Sequence, residues 1–137
     1  MRWFHLGLGV LLFVIFCITG KMMRIDFPDK DLISPDLRVL IRSRHIYILF
    51  NSLIWLLLGT YYRPNPRQIS LAMQRAGSLL LFMSAGLLLY GWWVESYQLA
   101  HFSDISRWGI YLSLAGVGFH LVGGILNERP ASDQLSR

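Results

Sequence analysis

The chain has 137 residues, 54% of them hydrophobic and only 15% charged, with a formal net charge of +5. A soluble domain carries about 25% charge, so this composition excludes an ordinary water-facing surface and leaves room for a single domain. The charges are also segregated: the stretches 3–20, 45–62, 76–94 and 108–127 contain no Asp, Glu, Lys or Arg.

As helices rising about 1.5 Å per residue, each stretch spans roughly 25–30 Å, the thickness of a bilayer's hydrocarbon. A soluble four-helix bundle would need a polar outer face along every helix. Over 79–89 the only polar side chain is Ser84.

The stretch 3–20 reads as a retained first helix. It is long for the apolar part of a signal peptide, and 16–20 lacks a small-x-small cleavage pattern. Cys17 is the only cysteine; it excludes an internal disulfide and reads as a small apolar filler. The loop 21–35, with Asp26, Pro28, Asp29, Lys30 and Asp31, belongs in solvent.

Ser34, Pro35 and Asp36 start the second helix: a capping hydroxyl, a proline at the first helical position and an acid at the positive end. No helix breaker follows until Gly59, so this helix begins well before its apolar span. The leading part sets Leu37, Leu40 and Ile41 on one face and Arg38, Arg42 and His45 on another, the pattern of an amphipathic interfacial segment. Tyr61, Tyr62 and Arg63 form an aromatic and charged anchor at its end.

Pro64, Asn65 and Pro66 make a turn and a cap for the third helix. That helix enters through Arg67, Gln68, Gln74 and Arg75 and leaves at Trp92, Trp93, Glu95 and Tyr97. After a short loop, with Ser103 or Ser106 as cap, the fourth helix is expected to start near Arg107 and Trp108. It stops at 127–130, and the tail 131–137 is expected to be disordered.

The expected fold is therefore an all-α integral membrane protein. Residues 1–130 form one four-helix transmembrane domain, an up-down-up-down bundle whose second helix carries an amphipathic interfacial extension. Basic residues divide almost evenly between the two sides, so the positive-inside rule decides little. The acids favour both termini in the cytoplasm, and the expected location is a bacterial inner (plasma) membrane.

His120 falls near the middle of the fourth span, where ionisable groups usually face the bundle interior. Gly109, Ser113, Gly116, Gly123 and Gly124 accompany it as a small-residue seam that lets another helix approach closely. A ligand, proton or haem site is one reading of His120; a neutral imidazole bonded to a neighbouring helix is the preferred one. His5 is placed at one membrane face and His45 and His101 at the other, so no second histidine matches His120 in depth. Asn51 reads as interhelical glue, with Ser84 or Tyr90 as partner. Arg38, Arg42, Arg44 and His45 form a basic collar for phospholipid headgroups or for a carboxylate or phosphate.

Arg42, Arg44, His45 and Asn51 together resemble a helix 2 motif of the MAPEG family, small four-helix membrane enzymes that handle glutathione. The likeness covers this stretch alone. The separation of His45 from Asn51 is longer than in that motif, and the glutamate that follows it there has no counterpart in this second helix.

No catalytic residue, cofactor or metal site is expected. The first expectation is an interaction, assembly or accessory component in the bilayer, with a membrane-protein partner or a second copy and no nucleic acid. A homo-oligomeric transporter or channel using His120 and Asn51 is the alternative, followed by a membrane enzyme or a haem or quinone redox subunit.

Overall fold

The computed structural model describes residues 2–26, 34–61, 67–95 and 104–125, and every regular element in them is a helix. These are α1 (Arg2–Asp26), α2 (Pro35–Tyr61), α3 (Gln68–Glu95) and α4 (Asp104–Ile125). The turn at 64–66, the loop residues Pro28, His101 and Ser103, and the tail 131–137 lie outside the described residues.

Local chemistry accounts for the helix starts. The Leu37 amide donates to Ser34 Oγ (3.4 Å) and the Arg38 amide to the Ser34 carbonyl (3.1 Å), so Ser34 caps α2 in front of Pro35. The first helix continues past Gly20 to Asp26, because 21–26 contains no helix breaker. The fourth begins at Asp104, ahead of the expected Arg107 and Trp108, because its first amides are received by a side chain of α3, described below.

α1, α3 and α4 are each long and apolar enough to cross a membrane. Polarity is inverted relative to a soluble protein. Large apolar side chains such as Trp3, Leu57, Phe82, Trp93, Leu114 and Leu121 are exposed, whereas His5, Arg44, Asn51, Ser84, Glu95 and Ser113 are buried. An apolar exterior of this extent suits lipid rather than water and marks a membrane protein.

Successive helices run antiparallel. Arg2 Nε near the start of α1 donates to the Gly59 carbonyl near the end of α2 (3.1 Å), and Ser52 Oγ donates to the Gly9 carbonyl (3.0 Å). Ser70 Oγ, early in α3, donates to the Gly123 carbonyl, late in α4. The two hairpins α1–α2 and α3–α4 pack closely because glycines stand at their crossings. A Cβ on Gly59 would lie 2.6 Å from the Leu6 backbone nitrogen, and one on Gly77 would lie 2.7 Å from the Gly116 carbonyl oxygen. Leu12, Ile54, Trp55, Leu81 and Ala85 fill the centre between the hairpins, and Ile41, Ile48 and Trp92 form a second cluster. Among the described residues, the α1 backbone approaches only α2, and α2 is the one helix whose backbone approaches all three others.

Candidate functional site

The C-terminal half of α1 and the N-terminal half of α2 enclose a cavity of about 590 Å³. Helical spacing sets its lining. Positions 16, 17, 20 and 24 share one face of α1, and 38, 41, 42 and 45 share one face of α2. The floor is Phe16, Cys17, Gly20, Met23 and Ile41, with His45 beside it; Lys21, Arg24, Arg38 and Arg42 add four cations, and among the described residues no carboxylate lines the cavity.

His45 is held rigidly. Its ring stacks on Phe16, centroids 4.1 Å apart and planes 17° apart. Its Nδ1 lies 3.0 Å from Thr19 Oγ1, whose hydroxyl donates to the Phe16 carbonyl (3.0 Å). With the hydroxyl proton used there, Nδ1–H is the donor to Thr19. That leaves Nε2 as an acceptor on the side where Gly20 lies.

The structure divides the collar drawn from the sequence. Arg38, Arg42 and His45 line the cavity, whereas Arg44 turns away to α3 and is only 1% exposed. Its Nε lies 3.7 Å from Glu95 Oε2, and its Nη1 donates to the Glu95 carbonyl. Glu95 also receives the Ile105 amide (2.9 Å), the Ser106 amide (3.4 Å) and the Ser106 hydroxyl (2.7 Å). One carboxylate thus pairs with α2 and caps α4, where an anion complements the positive helix end. Lys21 and Arg24 take the vacated places in the cationic group. The spacing of Cys17, Gly20 and Arg24 on one face of α1 is the signal that could have found them.

Two further polar layers cross the interior. Asn51 Nδ2 donates to Ser84 Oγ (3.0 Å) and Ser113 Oγ (2.8 Å), and Ser84 Oγ donates to the Gly109 carbonyl (2.7 Å). Asn51 therefore joins α2 to both α3 and α4; Tyr90, the other partner considered, is exposed. Gly109, Ser113, Gly116 and Gly123 are all buried against α3. Gly124 is exposed, and a Cβ there would meet nothing within 4 Å.

The third layer pairs two histidines that the sequence reading had set at different depths. His5 Nε2 lies 2.9 Å and His120 Nε2 lies 3.1 Å from the same hydroxyl, Ser78 Oγ, and the two ring centroids are 6.2 Å apart. Ser78 Oγ donates to the Gln74 carbonyl (3.0 Å), so both imidazoles can donate to it. Antiparallel packing sets His120 beside the first turns of α1, and both rings stand at the level of Ser78, well inside α3. Among the described residues no three His, Cys, Asp or Glu side chains converge to hold a metal.

No family model, curated protein or solved structure matches the chain. Function is thus argued from geometry. The cavity offers cations over an apolar floor, which suits an anion with a hydrocarbon part. The interior layers offer hydrogen bonds that tie helices together.

Proposed function

We propose that the chain is a four-span protein of a bacterial inner (plasma) membrane, with both termini cytoplasmic, working as an accessory or assembly component without catalysis of its own. The observation that carries this reading is the use made of the interior polar side chains. Arg44–Glu95–Ser106, Asn51–Ser84–Ser113 and His5–Ser78–His120 each join three helices through side chains. Ser78 is the one hydroxyl of these layers within reach of an imidazole, and it donates its proton to the Gln74 carbonyl, so neither His5 nor His120 is set to take it.

Membrane crossing by α2 is supported by its outer face. Ile46, Phe50, Leu53 and Leu57 are exposed, while its polar Asn51 and Ser52 are buried. Lipid alongside α2 therefore meets apolar side chains, and a helix satisfies its own peptide groups. The enclosure of Asn51 by α3 and α4 of the same chain favours this reading over a pore shared between copies.

The test is purification from native membranes in mild detergent, with quantitative mass spectrometry of co-purifying proteins and a visible absorption spectrum. The expected result is a stoichiometric membrane-protein partner and no chromophore. Purification of the chain alone, or with a haem or quinone that His120→Ala removes, would overturn the proposal.

A further inference from the structure

We infer that the cavity between α1 and α2 binds one anionic phospholipid of the surrounding bilayer, its phosphate groups held by Lys21, Arg24, Arg38 and Arg42 and an acyl chain laid over Phe16 and Ile41. The site's level in the membrane comes from the sequence. Lys21 and Arg24 directly follow the charge-free stretch 3–20, and Arg38 and Arg42 precede the stretch 45–62. All four cations therefore stand where headgroups stand, Ile41 and Met23 stand among them, and Phe16 and Cys17 stand about one turn deeper than Lys21.

Charge and shape select the ligand class. A surface arginine or lysine meets passing headgroups singly. Here two helices bring four cations to one cavity of about 590 Å³, with no carboxylate among the described residues that line it. One phosphodiester carries a single negative charge, and Lys21, Arg24 and Arg42 alone match a head with two phosphates better than a head with one. Basic pockets between membrane helices on the cytoplasmic side bind such head groups; with cytoplasmic termini this pocket faces the other leaflet, where the same match of charge applies. The zwitterionic head of phosphatidylcholine would place its ammonium among like charges. The wall is also built before the ligand arrives, since Thr19 and Phe16 lock the His45 ring, and a preformed site loses less to ordering on binding. This inference rests on membrane placement and stands apart from the accessory role.

The experiment is native mass spectrometry of the detergent-solubilised full chain, titrated separately with diphosphatidylglycerol, phosphatidylglycerol, phosphatidylcholine, palmitate and inorganic phosphate. The expected result is one diphosphatidylglycerol retained per chain, at least roughly ten-fold more tightly than phosphatidylcholine, with affinity falling as salt rises. Arg42→Gln, at an exposed position, is expected to weaken retention roughly five-fold, and Arg38→Gln/Arg42→Gln roughly twenty-five-fold. Equal retention of phosphatidylcholine, unchanged binding in both variants, or palmitate or phosphate binding as tightly as the lipid would overturn it. If the double variant does not fold, Arg42→Gln and the salt dependence of the unaltered chain decide.

Discussion

Glu95→Gln is expected to be among the most destabilising isosteric changes in this protein. Glu95 is 7% exposed and its partner Arg44 is 1% exposed. Opposite charges 3.7 Å apart attract by about 4 kcal/mol at an effective dielectric of 20. Removing one member of a buried pair leaves the other charge uncompensated, which costs about 3–5 kcal/mol. Glu95→Gln does that to Arg44: the ion pair with the carboxylate is lost, and only the hydrogen bond to the Glu95 backbone carbonyl remains. It also weakens the cap on α4 that the carboxylate forms with Ile105 and Ser106.

The reciprocal change is not equivalent. Arg44→Met leaves the carboxylate with two amides and a hydroxyl from α4, all still charge-assisted, so its expected cost is about 1–2 kcal/mol. The double variant Arg44→Met/Glu95→Gln should be more stable than Glu95→Gln alone, because no bare cation remains inside. Equilibrium unfolding in mixed micelles, followed by far-ultraviolet circular dichroism, measures all three variants against the parent. The reasoning is refuted if Arg44→Met costs as much as Glu95→Gln, or if the double variant loses the sum of the two.

Three other outcomes follow from the same packing. Asn51→Leu removes two interhelical bonds, each worth about 0.6 kcal/mol in a membrane bundle, so a loss of about 1 kcal/mol is expected in the same unfolding assay. Gly77→Val sets a side chain against the Gly116 backbone and should cost about 1–3 kcal/mol. Gly124→Ala, in open space, should stay within about 0.5 kcal/mol; melting temperatures in detergent separate the two. His5→Leu breaks the bridge from α1 to Ser78, and spin-label distances should broaden between α1 and α3 while those between α3 and α4 stay sharp.

What was legible in the sequence was what short-range chemistry writes there. Ser34, Pro35 and Asp36 announce the start of α2 because a cap and its amides lie within four residues. The start of α4 is not written locally, since Glu95 of another helix receives its first amides. The depth of His5 is not written locally either: near the start of its own helix it reads as a residue of the membrane face, yet it meets Ser78 and His120 well inside α3 and α4. The separation of Arg44 from Arg38 and Arg42 was within reach. Arg44, Ile48, Asn51 and Trp55 recur at helical spacing and are all buried, whereas Arg38, Arg42 and His45 lie on a different face. The joining of Lys21 and Arg24 to the α2 cations depends on how two helices are set side by side, which no periodicity within one helix records.

The helix whose sequence looks least like a membrane span is the one the bundle is organised around. α2 carries Arg44, His45, Asn51 and Ser52, which lower its apolarity below that of α1, α3 and α4. Those four residues make polar contacts to the rest of the molecule: Ser52 and His45 to α1, Asn51 to α3 and α4, Arg44 to α3. Where lipid is as apolar as leucine, leucine on α2 would not distinguish a neighbouring helix from the bilayer. Polar side chains do distinguish them, because their bonds can be made only inside the bundle. The low apolarity of α2 and its packing against all three neighbours are therefore one property: a helix that must join three others gives up apolar positions to the bonds that join them.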